Sequence, residues 1–368
     1  MYKLIVTHGQ NHGLAQALYD HYVSLDDPAI LIQLPYRADM IPPFIKCNFK
    51  QFVPQKHIIC LNGSFFPIRI ILQCLIMIFS LLRVFISVGF PEKIYVSNPL
   101  NFFCVYLTSP KKIPLRYITI DLSVSSFGKF NNVYVLMDKM ACTKSDLILG
   151  VSETMNIVRS KLYKISRSKF AVIPIGLVEC VSPIDFDLSN SSQSFLYLGS
   201  VENKYRIDLV IDALQKIEKL NWTLEIIGDG SALDSLKEYA KRSKNSKNII
   251  FHGNISDRNK LMKIVNQSFI GLCLIDKSLD NFSRFADITK VKEYIGYGIP
   301  VICSDNLKKR YDAGMPIIYS KMNKDDLNAI FIELLQNKNN QYSDIKRKIK
   351  KTQTKLLWKN ILKDNLNV

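Results

Sequence analysis

Short apolar runs alternate with longer stretches of helical periodicity from the first residues onward. In the first half the runs fall at 3–7 (KLIVT), 30–33, 57–62 (HIICLN), 93–97 (KIYVS), 116–120 (RYITI) and 147–151 (LILGV). Their length and β-branched content predict buried strands. Helical segments are predicted between them at 15–24, 68–87, 101–107, 131–141 and 153–163. Strand followed by helix, repeated, predicts a parallel sheet with crossover helices, hence a first Rossmann-like domain over 1–180. After 170–174 (FAVIP) the polar, turn-rich stretch 182–194 (SPIDFDLSNSSQS) reads as a linker. A second alternation follows: strand 195–198 (FLYL), helix 207–220, strand 223–227, helix 232–241, strand 249–251, helix 258–266, strand 270–275, helix 290–297 and strand 301–303. The expected fold class is therefore α/β, with two Rossmann-like domains facing across a cleft. The second domain covers 181–345, and a basic helix at 346–368 is expected to pack back on the first.

The stretch DITKVKEYIGYGIPVI (287–302) sets two charges, Lys290 and Glu293, inside an apolar frame. Their three-residue spacing places both on one helix face. Gly296 and Gly298 end the helix, and a buried strand begins near Val301, so the charged face opens at the end of a parallel sheet. Ligands of open α/β folds bind there. The same spacing also suits a solvated ion pair of little energetic worth.

Composition narrows the partners. The 368 residues suffice for two cores of ordinary size. Eight dispersed cysteines, with no C-x-x-C pair, read as free thiols in a reducing compartment without a structural metal. The opening MYKLIVTHGQNHG lacks the pattern of a signal peptide, which implies a cytoplasmic protein. A formal charge of +17, with both halves positive, favours an anionic partner: a phosphorylated small molecule, an acidic membrane surface or nucleic acid. The segment 65–90 is apolar, with a charge-free core at 70–82 that is shorter than the roughly 20 residues of a membrane span. It reads either as a buried crossover helix or as a face touching lipid, with Arg69 and Arg83 at headgroup level. Eight basic residues between Lys346 and Lys363 add a case for an anionic inner-membrane surface.

Seven pieces in order, YITID, KSDLILGVSETM, FAVIPIGL, FLYLGSVENKYRIDLVIDAL, TLEIIGDGSALDSLKEYA, IIFHGNISDRNKL and DITKVKEYIGYGIPVI, resemble the GT-B glycosyltransferases, specifically the retaining family 4 type. The resemblance implies a nucleoside-diphosphate sugar as donor substrate, no cofactor, no metal and no nucleic acid. It also implies a saccharide or lipid-linked saccharide acceptor in bacterial surface polysaccharide synthesis, such as lipopolysaccharide or capsule. Glu293 would accept the ribose hydroxyls, as an ionised carboxylate can. Lys290 and Arg206 would hold the diphosphate, with Lys204 as the alternate to Arg206. Gly199, Gly228, Asp229, His252, Gly253, Asp287 and Thr289 would complete the donor side. The glycine turn His8, Gly9, His12 and Gly13 is implied on the acceptor side, with His8 and Asp121 as first-domain catalytic candidates; Asp121 could accept an acceptor hydroxyl proton. Two departures stand out. Phe285 occupies the position of the family's usual second Glu, and Ser200 follows Gly199 where a cation is common. Asp287 would then either contact the donor sugar or cap the helix. Two other readings stay open: a nucleotide-sugar epimerase, and a basic protein that binds nucleic acid or a membrane surface.

Overall fold

The computed structural model describes residues 1–7, 13–34, 44–49, 66–120, 131–181, 193–217, 220–276, 287–311, 314–336 and 340–366. His8, Gly9, His12, Asp121, Phe285, the strand expected at 57–62 and most of the expected linker lie outside these residues. The chain divides into two compact units, Met1–Val178 with Trp358–Val368, and Glu179–Leu357.

In the first unit the strands β1 (Lys3–Thr7), β2 (Ala29–Gln33), β3 (Phe44–Cys47), β4 (Lys93–Ser97), β5 (Leu115–Thr119), β6 (Leu147–Gly150) and β7 (Phe170–Val172) form one sheet. Its order is β3-β2-β1-β4-β5-β6-β7, parallel except for the β2·β3 pair. Strand β3 is absent from the sequence-based expectation, because four residues beyond Pro42-Pro43 are too few to show a period. Alternation sorts the strand side chains onto two faces. Leu4, Val6, Ile94 and Val96 pack with helices α2 (Phe66–Val88), α3 (Pro99–Thr108) and α4 (Asn131–Lys144). Ile5, Leu31 and Tyr95 face the other way, toward α1 (Leu14–Ser24) and the last helix. Helix α5 (Glu153–Tyr163) supplies the wholly buried Arg159, whose Nε donates to Asp138 on α4 at 3.1 Å. Tyr117 on β5 and Tyr163 each donate to the same carboxylate at 2.7 Å. This buried network joins three elements and leaves no charge there unopposed.

The second unit holds β8 (Gln193–Leu198), β9 (Trp222–Ile227), β10 (Ile249–Gly253), β11 (Ser268–Cys273), β12 (Val301–Ser304) and β13 (Ile317–Ser320). They form a parallel sheet of order β10-β9-β8-β11-β12-β13. Helices α6 (Ile207–Leu214), α7 (Leu233–Lys241), α8 (Arg258–Val265), α9 (Thr289–Gly296), α10 (Lys324–Gln336) and α11 (Asn340–Leu356) complete it. Both units are thus Rossmann-like, and in the second the strand order reverses between β8 and β11. The chain crosses a crevice at such a switch point.

The carboxyl terminus differs from the single basic helix expected at 346–368. It is two helices, α11 in the second unit and α12 (Trp358–Asn365) in the first. The break follows from a competing partner: the Trp358 amide donates to the Leu177 carbonyl at 2.9 Å and so leaves the helical ladder. Helix α2 agrees with the helix expected at 68–87, but its apolar stretch runs beyond the expected 70–82 core. It contains a 19-residue apolar stretch, Ile70–Val88, long enough by length and composition to cross a membrane. Its inner face is nevertheless part of the first unit's core, with Met77, Leu81 and Val84 buried.

Candidate functional site

The carboxyl end of β8 is where the charged residues of the second unit meet. Beyond Gly271 and Leu196 the β8 and β11 backbones no longer pair, and the hydroxyl of Tyr294 fills the gap. It accepts from the Leu198 amide at 2.7 Å and donates to the Leu272 carbonyl at 3.2 Å. Tyr294 lies on α9, so this wedge fixes the helix against the switch point. At the same carboxyl end of α9, Gln353 of α11 donates to the carbonyls of Ile295 and Gly296, at 2.9 and 3.1 Å, and the Val181 amide donates to Gly296 at 2.7 Å. The last carbonyls of a helix lack intrahelical partners, and these donors satisfy them. The carboxyl end of α9 is therefore held through both a side chain and its last carbonyls.

Anchored in this way, α9 lays Lys290 across the end of β8. The Lys290 ammonium donates to Tyr197 Oη at 2.7 Å, and lies 3.6 Å from the ring centroid of Tyr205 and 4.3 Å from that of Tyr197. Two aromatic faces attract a cation without neutralising it. Burial, against the pull of Cys273, Glu293 and Glu202 and with a smaller contribution from nearby Lys204, brings the Lys290 pKa down to about 8. The approach demands glycine. A Cβ on Gly199, whose φ is +127°, would sit 2.4 Å from Lys290 Cε. A Cβ on Gly228 would lie 2.0 Å from the Gly199 carbonyl oxygen, so the loops after β8 and β9 touch backbone to backbone.

Glu293, one turn along α9, is half-buried and has no hydrogen-bond partner among the described residues. Burial raises its pKa, against the pull of Lys290. It is an acceptor awaiting donors. Arg206 is in a different state. Its guanidinium bonds both oxygens of Asp208, at 3.2 and 3.3 Å, and reaches Asp276 at 3.3 Å. Lys204 pairs with Glu202 at 2.7 Å. Of the three expected phosphate cations, Lys290 is thus the one presented without a carboxylate in salt-bridge contact among the described residues.

The remaining positions are dispersed in role. Asp229 accepts from the Gly230 amide at 2.7 Å, which shapes the turn. His252 Nε2 lies 2.5 Å from Glu225 Oε2 across β9 and β10, a pairing that holds the start of the Gly253 loop. Thr289 is exposed at the first position of α9. Asp287 forms a buried ion pair with Lys292, their side chains 7% and 4% exposed. The N-cap position is Ile288, which makes no side-chain cap, so Asp287 serves as a buried counter-ion. Gly13 precedes α1 in the first unit. Tyr197, Tyr205, Tyr294 and Gln353 were not expected at the site. Tyr197 shares the Phe195 face of FLYL and reads as core by alternation, while Tyr205 is flanked by two cations that draw attention from it.

Residues 185–352 match the family model described as glycosyl transferases group 1. That segment is just under half of the chain. Compared with curated proteins, the sequence has no match. In structure the chain is similar to the lipopolysaccharide outer core galactosyltransferase WaaB, at 14% identity and a TM-score of 0.65, covering 99% of this chain and 98% of that one. It is similar to the sucrose-phosphate synthase of Thermosynechococcus elongatus at 12% identity and a TM-score of 0.70, covering 99% and 97%. It is also similar to Anabaena HepE in complex with UDP and glucose, at 12% identity and a TM-score of 0.65, covering 99% and 98%. The fold is GT-B. The matched segment takes in β8 to β13, and so the whole Lys290–Glu293 site.

Proposed function

We propose that the protein transfers a sugar from a nucleoside-diphosphate donor to a saccharide or lipid-linked saccharide acceptor, with retention of anomeric configuration and without a metal ion. The observation that carries this reading is the Lys290 ammonium, held by two tyrosines at the sheet's switch point one turn from an acceptor-only Glu293. Negative charge accumulates on the diphosphate as the glycosidic bond breaks. A preorganised cation in a partly desolvated site stabilises that charge, and the amino-terminal amides of α9 add their partial positive charge. Glu293 accepts the two ribose hydroxyl protons and orients the nucleoside. Arg206, engaged by Asp208 and Asp276, shapes the loop that carries Tyr205 and acts on the diphosphate through that loop. The similarity to WaaB, a lipopolysaccharide outer core galactosyltransferase, supports a place in bacterial surface polysaccharide synthesis. HepE was solved with UDP, which supports the choice of donor class.

Calorimetry with nucleoside diphosphates and with oligonucleotides of comparable charge tests the donor reading. Binding of a nucleoside diphosphate that is weakened by Glu293→Ala supports it; binding of oligonucleotide alone contradicts it. The anomeric configuration of the product, read by NMR, tests retention, and an inverted product overturns that part.

A further inference from the structure

The outer face of α2 is apolar along its length. Ile71, Leu75, Phe79, Leu82 and Ile86 are 60%, 56%, 70%, 44% and 85% exposed. Spacings of four and three residues keep them on one side of the helix over about 22 Å of rise. Helix α3 packs beside α2 and α4 beside α3. They extend the face with Phe103 and Leu107, and with Val133 and Leu136, all exposed. Large contiguous apolar surfaces on a soluble protein mark an interaction site.

We infer that this three-helix face docks on an anionic lipid bilayer, with α2 lying in the plane of the interface. A crossing is ruled out by the opposite side of the same helix, where Met77, Leu81, Val84 and Phe85 are core residues of the sheet. A helix with one face in a protein core and one apolar face outward lies at the headgroup–acyl boundary. The charge around the face fixes the partner. Between residues 66 and 120 the one acid is Glu92, which pairs with Lys3 and Lys93, whereas Arg69 and Arg83 on α2 and Lys111 and Lys112 beyond α3 are basic. Lys111 and Lys112 are exposed just beyond the end of α3. An isologous pairing of two copies would bring this basic rim against itself, while an anionic surface attracts it. The basic helix α12 contributes nothing here, since it packs with α1 on the other face of the sheet.

Flotation of the full chain with vesicles of phosphatidylglycerol and phosphatidylcholine tests the inference. Recovery with these vesicles is expected to exceed that with pure phosphatidylcholine and to fall as salt rises, because the surface potential is screened. Phe79→Ser with Ile86→Ser should reduce partitioning roughly tenfold or more at unchanged melting temperature, since each exposed side chain inserts into the interface. Lys111→Glu with Lys112→Glu should weaken binding at low salt, and it tests the same face without touching an apolar residue should the first variant not fold. Equal recovery with and without vesicles, binding indifferent to both variants, or a dimer in light scattering that Phe79→Ser with Ile86→Ser dissolves would overturn it.

Discussion

Arg206 suits phosphate better than any lysine by geometry, since its fork matches two oxygens at once. Its position among Asp208 and Asp276 reverses that preference and leaves Lys290 as the cation facing the switch point. The Lys290 pKa of about 8 makes the assignment testable by pH. With its folded pKa below the usual lysine value, Lys290 binds its proton more weakly than in the unfolded chain. Its contribution to stability is therefore lowest below about pH 8 and recovers as pH rises toward the ordinary lysine range. Donor affinity should run the other way. It should fall above about pH 8, by up to roughly tenfold per unit, as the cation is lost. Calorimetry in two buffers of different ionisation heat should show proton uptake on UDP binding near that pH, absent in Lys290→Met. UDP affinity independent of pH across this range would remove Lys290 from the diphosphate. Glu293→Ala should weaken UDP binding by about 1–3 kcal/mol, the range for a hydrogen bond to a charged group whose partner is lost. An unchanged affinity in a folded variant contradicts the ribose role.

Helix α9 is the element on which the site depends, and its supports lie at both ends. Gln353→Leu removes the side chain that bonds the Ile295 and Gly296 carbonyls, and should lower stability by about 1–3 kcal/mol, the cost of leaving buried acceptors unmet. Denaturant titration reads this directly. Asp287→Ala takes the carboxylate from the buried Lys292 ammonium, a change of about 3–5 kcal/mol when a buried pair is broken. Adding Lys292→Met should restore much of the loss. If Asp287→Ala instead lowers turnover at unchanged melting temperature, Asp287 belongs to the sugar site. Much of this element plan is legible in the chain. Runs such as FLYL and TLEII read as strands because they are short, apolar and bounded by turn residues, and the Lys290–Glu293 spacing points to one helix face. What escapes is set by tertiary partners. The end of α11 depends on a Leu177 carbonyl far away in sequence, β3 is too short to show its period, and Gln353 looks like any polar residue of a basic helix. The state of Arg206 is equally hidden, because Asp276 reaches it from 70 residues further along the chain.

At the scale of the molecule, two Rossmann-like units of the GT-B fold, each with its own core, sit on a chain of net charge +17. That charge favours the approach of an anionic donor, and the resulting association rate should fall with ionic strength. On the proposed function the segment 185–352 binds the nucleotide, so a nucleoside diphosphate should raise the melting temperature of the chain in proportion to its occupancy. The measurement that tests the account most directly is release of nucleoside diphosphate from a panel of nucleotide sugars by the wild-type protein and by Lys290→Met. The account predicts slow hydrolysis of at least one nucleotide sugar by the wild type even without acceptor, and release slower by roughly 10²-fold in the variant, the loss expected when one preorganised group at a developing charge is removed. Release at equal rates from both proteins, or from neither across the panel, would contradict it.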